Sequence, residues 1–273
     1  MQQRKIAFIG AGNMAQAIVA GLIGGGYPAQ HISVCAPSGA RRDALAAKFG
    51  VISSADNVRC AQQADVIVLA VKPQMMASVC EPLHQQVDFS GKLVLSIAAG
   101  INIARFQALL GEAVNIVRIM PNTPSLVGKG MSGLYAPATV SAADREFTAG
   151  LMKSVGKVCW VESEQGINGV IAAAGSAPAY FFLFMEAMQQ EAVRQGFNPD
   201  TARLLVQQAA SGAAALVEAS PDTPLSALRE NVTSKGGTTA EALRVFNQRQ
   251  LTQIVSDAMQ AAVDRAQEME KLF

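Results

Sequence analysis

Short runs of β-branched and other apolar residues alternate with amphipathic stretches through the first 160 positions. Lys5–Ile9, His31–Cys35, Asp65–Ala70, Leu93–Ile97 and Asn115–Met120 read as strands. The stretches near Asn13–Ile23, Ala40–Phe49, Val58–Gln63, Met75–Val87 and Ile103–Leu110 read as helices. Strands alternating with helices predict βαβ units and a parallel sheet, since parallel neighbours need a crossover long enough to hold a helix. Two further runs, Met131–Tyr135 and Val158–Glu162, flank a helical segment and are expected to extend or edge the sheet.

Beyond residue 162 the pattern becomes helical throughout. Ala177–Gln195, Pro199–Ala219, Pro224–Arg229, Thr239–Gln248 and Gln250–Leu272 read as helices, and Gly196-Phe197-Asn198-Pro199 marks a stop and restart. The expected division is therefore 1–162 for an α/β domain and 163–273 for an all-helical one. Tyr180-Phe181-Phe182-Leu183-Phe184-Met185 is apolar on every side, so that helix needs cover all round. About 110 residues of helix supply little of it, and burial against a second copy of the chain is expected.

Composition narrows the class. At 273 residues and 28.6 kDa, with half the residues apolar, 16% charged and a mean hydropathy of +0.23, two well-packed domains are expected. The longest apolar run, Ala177 to Met185, falls short of the roughly 20 residues that span a bilayer. The N-terminal residues lead straight into a strand without a signal-like segment, so a soluble, cytoplasmic protein without a membrane partner is expected. Residues 1–160 carry 14 Lys/Arg against 8 Asp/Glu, and residues 161–273 carry 8 against 13. A basic first half without clustered, aromatic-interleaved basic residues suits a small anionic ligand and argues against nucleic acid. Cys35, Cys60, Cys80 and Cys159 lie far apart without metal spacing and read as reduced thiols, while His31 and His84 read as core or surface residues.

The chemistry begins at Ile6-Ala7-Phe8-Ile9-Gly10-Ala11-Gly12-Asn13-Met14-Ala15. This is a GxGxxA dinucleotide fingerprint placed after the first strand and opening the first helix. Gly10 permits the tight turn, Gly12 lets the backbone approach a pyrophosphate, and Ala15 lets helix and strand pack closely. The expected fold is α/β: an N-terminal Rossmann-type doubly wound sheet with a C-terminal all-helical dimerisation domain. At the end of the second strand, NAD binders place an acid to grip the ribose. Here the chain reads Ala36-Pro37-Ser38-Gly39-Ala40-Arg41-Arg42, with no acid before Asp43. A hydroxyl and two cations suit a 2′-phosphate, which favours NADPH, with NADH as the alternative. Ala70-Val71-Lys72-Pro73 and Ala98-Ala99-Gly100 close two more strands and are placed to line the cofactor trough.

Three other stretches are too specialised for scaffolding: Met120-Pro121-Asn122-Thr123-Pro124, Gly175-Ser176-Ala177-Pro178, and Ser234-Lys235-Gly236-Gly237-Thr238-Thr239. The last lies between two helices, where its glycines and hydroxyls can present N–H groups to a carboxylate. With the glycine fingerprint, Ala70-Val71-Lys72-Pro73 and Ser96-Ile97-Ala98-Ala99-Gly100, these motifs make the whole chain resemble pyrroline-5-carboxylate reductases. The Gly236-Gly237-Thr238-Thr239 loop is the most specific of them.

That resemblance implies an NAD(P)H-dependent imine reductase acting on 1-pyrroline-5-carboxylate, built as a homodimer with interlaced helices, often as a ring of five dimers. It places the cofactor against Gly10, Ala11, Gly12, Asn13, Met14, Ser38, Asn57, Val71, Lys72, Pro73, Ala98, Ala99, Gly100 and Asn231, beside the Arg41 that the sequence itself suggests. It places the substrate against Ser176, Gly236, Gly237, Thr238 and Thr239, with Thr239 as the catalytic hydroxyl. The chain departs from the family's usual Ser-Gly-Ser-Gly/Ser-Pro-Ala-Tyr at Ala174-Gly175-Ser176-Ala177-Pro178-Ala179-Tyr180. It departs again from Ser-Pro-Gly-Gly-Thr at Ser234-Lys235-Gly236-Gly237-Thr238. A protonated cyclic imine is already an electrophile, so the missing His or Lys base fits imine reduction better than dehydrogenation of a hydroxy acid. A β-hydroxyacid dehydrogenase relative and a non-enzymatic NADP-binding regulatory module are the alternatives.

Overall fold

In the computed structural model, which describes residues 3–272, the apolar runs assemble into one sheet. Its strands are β1 (Ile6–Ile9), β2 (Ile32–Cys35), β3 (Ile52–Ser54), β4 (Val66–Leu69), β5 (Leu93–Ser96), β6 (Asn115–Met120), β7 (Gly130–Tyr135) and β8 (Gly156–Trp160). Among the described residues the order is β3-β2-β1-β4-β5-β6-β7-β8, all parallel except the antiparallel β6–β7 pair. The helices of this part are α1 (Asn13–Gly24), α2 (Gly39–Phe49), α3 (Asn57–Gln63), α4 (Met76–Gln86), α5 (Ile103–Leu110), α6 (Ala142–Lys153) and α7 (Gly166–Val170).

Alternation along each strand feeds two separate cores. Ile6 and Phe8 of β1 join Val66, Val68, Ile18, Leu22 and Leu151 in one. Ala7 and Ile9 join Ile67, Leu69, Cys80, Leu83 and Phe106 in the other. Both faces of the central strands are covered, which explains why they read as unbroken apolar runs. β3 was not expected from sequence: it is three residues long and Ile52 is exposed, so it carries neither an apolar run nor a clean alternation. β7 and β8 do extend the sheet.

The chain divides into two compact units, and the division differs from the expected one at 162/163. The first unit runs to Ser176 and also takes the end of the last helix from Ala261 on; the second spans Ala177–Gln260. Local packing accounts for the shift. A Cβ at Gly133 of β7 would come 2.6 Å from Val170, so α7 lies directly on the sheet. A π-helical turn, Ile171–Gly175, follows α7, and the Asn122 amide donates to the Ala174 carbonyl at 3.0 Å.

The second unit is helical: α8 (Ala177–Arg194), α9 (Pro199–Ala219), α10 (Leu225–Asn231), α11 (Thr238–Gln248) and the start of α12 (Leu251–Leu272). Asn198 caps α9 by accepting from the Thr201 N–H at 2.9 Å, with Pro199 in the first turn, as the stop-and-restart signal predicts. Phe184 of α8 meets Phe246 of α11 with ring centroids 5.9 Å apart. Even so, Phe181 and Leu183 remain 66% and 68% exposed. The helical run Gly166–Arg194 is long and apolar enough, by length and composition, to cross a membrane, contrary to the expectation that none would approach that length.

Asp144, in the first turn of α6, ties the N-terminal segment to the sheet. Its carboxylate accepts from Arg4 Nη1 at 2.5 Å, Asn115 Nδ2 at 2.9 Å and Ser141 Oγ at 2.9 Å. Partial burial works against the charge, but these three donors outweigh it and hold the carboxyl below its ordinary range. A carboxyl lowered on folding stabilises above the unfolded value and loses that contribution as pH falls through the folded value. Asp144→Asn should cost about 1.5–3 kcal/mol at pH 7, the range for charged hydrogen bonds. The gap from wild type should shrink steadily below roughly pH 4. Urea unfolding from pH 7 down to 2.5 measures it, and a constant gap would place the stabilisation elsewhere.

Candidate active site

The first unit gathers its candidate residues off the carboxyl ends of β2, β1, β4 and β5, which are neighbours in the sheet. The strand order reverses between β1 and β4, where doubly wound sheets bind their ligands. Gly10 leaves β1 with φ +117°, and its N–H donates to the Cys35 carbonyl at 2.7 Å. A Cβ on Gly10 would lie 2.5 Å from the Ala70 carbonyl oxygen, so only glycine fits.

Gly12 is the N-cap of α1, in extended conformation and without a side-chain cap. A Cβ there would meet nothing within 4 Å, so the backbone faces open space. The first N–H groups of α1, at Asn13 and Met14, are left without intrahelical acceptors, and no acidic residue stands in that turn. This arrangement fits a pyrophosphate. Ala15, 1% exposed, packs beneath as the fingerprint requires.

The turn after β2 sorts its polar residues into separate tasks. Ser38 is the N-cap of α2, exposed, with its hydroxyl unused in capping. Arg42 folds back to the carbonyls of Ala36 and Pro37 and to the Asp43 carboxylate, so it braces the turn. Asp43 accepts from Ser53 Oγ at 2.5 Å, and that bond, aided by Arg42, holds its carboxyl below the usual range. The first acid after the strand is thus turned toward β3. Arg41 is exposed and makes no hydrogen bond or ion pair among the described residues, which leaves one cation available to an anion beside Ser38.

Asn57 opens α3 behind the Asp56 cap, and its Oδ1 is buried without a partner among the described residues. Past β4, Val71 is half-buried, Lys72 is exposed, and Pro73 starts a 3-10 turn over Pro73–Met75. Past β5, the Ala98 N–H donates to Ser96 Oγ at 3.3 Å, and Gly100 turns with φ +74°. Below this edge, Cys35 and Cys60 come together despite their separation in sequence. The hydrogen bond from Cys35 lowers the Cys60 thiol to about 6 and, with burial, pushes Cys35 upward. A cavity of about 400 Å³ beside Lys5, His31, Ser33 and Cys60 opens near the amino ends of β1 and β2, away from this edge.

Ser176 follows the π-helical turn, its N–H donating to the Ile171 carbonyl at 2.7 Å. Asn122 stands out in the sequence without a task of its own. Its amide accepts from the Met131 N–H at 2.9 Å and donates to Ala174 at 3.0 Å, so it joins the loop after β6 to the turn before Ser176. A polar residue between two prolines was the available signal.

The remaining candidates belong to the second unit. Gly236 takes φ +72°, the Gly237 N–H donates to the Ser234 carbonyl at 3.0 Å, and Gly237 is the N-cap of α11 without a side-chain cap. Thr238 and Thr239 are the first two helical residues. Gly237, not Thr239, occupies the N-cap position, and the Thr239 hydroxyl makes no hydrogen bond among the described residues. The free N–H groups of this turn suit a carboxylate. Lys235 and Asn231 are both exposed nearby in the chain. The cofactor candidates other than Asn231 therefore share one unit, and the Gly-Gly-Thr-Thr loop lies in the other.

Comparison with known proteins matches two families, one in each part of the sequence. Residues 164–269 match the family described as pyrroline-5-carboxylate reductase dimerisation, and residues 5–100 match NADP oxidoreductases described as coenzyme F420-dependent. The chain is 66% identical over 273 residues to a pyrroline-5-carboxylate reductase of Vibrio alginolyticus, covering all of both chains. A solved pyrroline-5-carboxylate reductase of Coxiella burnetii superposes with TM-score 0.93 at 42% identity, over 98% of this chain and 99% of that one. A pyrroline carboxylate reductase of Plasmodium falciparum, solved with NADP bound, superposes with TM-score 0.87 at 29% identity over 99% of each chain. End to end, then, in fold as in sequence, this chain belongs to the pyrroline-5-carboxylate reductase family.

Proposed function

We propose that this protein reduces 1-pyrroline-5-carboxylate to L-proline with NADPH, the last step of proline biosynthesis. The observation that carries the reading is the start of α11, where free N–H groups and an unengaged Thr239 hydroxyl stand side by side in a chain of this family. Bound NADPH supplies the hydride. Gly10 to Met14 hold the pyrophosphate, Ser38 and Arg41 the 2′-phosphate, and Asn57, Val71 to Pro73, Ala98 to Gly100 and Asn231 the remainder of the dinucleotide.

The backbone of Gly236, Gly237 and Thr238 holds the substrate carboxylate. Thr239 donates a hydrogen bond near the ring nitrogen, and Ser176 contributes a second hydroxyl. Orientation of a protonated imine is the main task left to the protein, because the electrophile needs no covalent activation. The family match and the exposed apolar face of α8 support a homodimer, and we propose a ring of five dimers as the larger assembly. The four free cysteines and the NADPH requirement support a cytoplasmic setting.

Two substitutions separate the halves of this reading. Ser38→Asp should weaken NADPH by roughly 10- to 150-fold, the worth of a lost charge-assisted hydrogen bond of about 1.5–3 kcal/mol, and leave NADH nearly unchanged. Kinetics with each cofactor measure this, and equal losses would show that the turn does not read the phosphate. Thr239→Val removes only a hydroxyl. It should lower kcat/KM for the imine roughly 2- to 150-fold, from about 0.5–3 kcal/mol, with NADPH affinity intact. An unchanged kcat/KM would remove Thr239 from the site.

A further inference from the structure

Arg118 is the largest fully buried side chain of the first unit and its exposure is 2%. It lies on β6 in register with Ser96, the last residue of β5. Its Nη1 donates to Glu164 Oε1 at 2.7 Å and to Glu270 Oε1 at 3.1 Å. The carboxylates come from opposite ends of the helical sequence, one just before α7 and one in the last turn of α12. Such a buried charge is tolerated when it is paired and hydrogen-bonded, and here both partners come from distant segments.

Each partner also bears on the turn after β5. Glu164 Oε1 accepts from the Ile103 N–H at 2.7 Å, fixing the start of α5 just past that turn. Met269, beside Glu270, packs on the turn itself: a Cβ on Gly100 would lie 2.8 Å from Met269 Cβ. Glu270 is held from a second side by Asn168 Nδ2 at 3.5 Å. Ser96, beside Arg118, accepts from the Ala98 N–H. The Ala98–Gly100 turn thus has Ser96, the strand neighbour of Arg118, at its start, Met269 of α12 packed on Gly100, and the Glu164-bonded Ile103 just past its end.

We infer that Arg118, Glu270 and Met269 position the Ala98–Gly100 turn for the nicotinamide end of the cofactor, so that the last turn of α12 belongs to the dinucleotide site. This rests on the proposed placement of the cofactor along the sheet edge. With the 2′-phosphate at the end of β2, the nicotinamide half extends across β1 toward β4 and β5. Arg118 is a positioning residue, acting through the turn and touching neither cofactor nor substrate.

The two ends of the dinucleotide give the test its selectivity. Met269→Ala and Glu270→Gln leave Arg118 paired with Glu164, so both variants should fold. Each should weaken NADPH binding by roughly 2- to 30-fold, as expected for coupling carried through packed neighbours. Each should leave the affinity for 2′,5′-ADP, which carries the phosphate and lacks the nicotinamide, unchanged. Arg118→Lys, whose ammonium ends one bond short of the Nη1 that reaches both carboxylates, should behave like them. Fluorescence titrations with both ligands read the result. Unchanged NADPH binding, or equal losses for NADPH and 2′,5′-ADP, overturns the inference. Ala99→Trp serves as the control for the turn. If it leaves NADPH binding intact, the cofactor placement falls and takes the inference with it. If it weakens NADPH while Met269→Ala and Glu270→Gln do not, the inference alone falls.

Discussion

One close approach organises the nucleotide half of the molecule: the Gly10 backbone against the Ala70 carbonyl. A side chain at Gly10 would overlap that oxygen at 2.5 Å, and its φ of +117° is one L-residues rarely adopt. With the space free, β1 turns directly into α1, whose first N–H groups point out over the sheet edge. β1 is central in the parallel sheet, with β2 on one side and β4 on the other. The turns after β2, β4 and β5 therefore assemble around this point. The separation of roles between Arg42, which braces the β2–α2 turn, and Arg41, which makes no bond among the described residues, matters because that turn lies beside the glycine turn after β1.

The second unit obeys a different constraint. Its longest apolar helix has no buried residue of its own between Ala177 and Arg194. A surface of that kind is stable in water only when covered, and the chain's membership in a family that oligomerises through this region fits that need. The same apolar composition makes the run Gly166–Arg194 resemble a membrane span by length and hydropathy. Hydropathy alone does not separate a helix buried by a partner from one buried by lipid.

The alternation of strand and helix, the fingerprint and the helical tail were legible because each is carried by local residues with a strong periodic or steric preference. β3 was not, since three residues at a sheet edge with an exposed Ile52 owe their conformation to pairing with β2. The unit boundary was also hidden. It depends on Glu164 and Glu270 reaching Arg118 and on Asn122 reaching Ala174, contacts between residues far apart in the chain. The Gly-Gly-Thr-Thr loop was visible as a motif, while the division of labour within it was not. Only the helix start shows that Gly237 is the cap and that the Thr239 hydroxyl is unspent. The cysteines mislead in a similar way, because Cys35 and Cys60 become neighbours through the packing of α3 on β2.

The central claim is that this chain passes a hydride from NADPH to a cyclic imine carbon. The most direct measurement uses NADPH deuterated at the transferring position of nicotinamide C4, mixed with the protein and 1-pyrroline-5-carboxylate, with the product read by NMR. The account predicts proline carrying one deuterium at C5, formed in step with the loss of NADPH. Bound NADPH that stays unoxidised in the presence of the imine, or proline without the label, would contradict it.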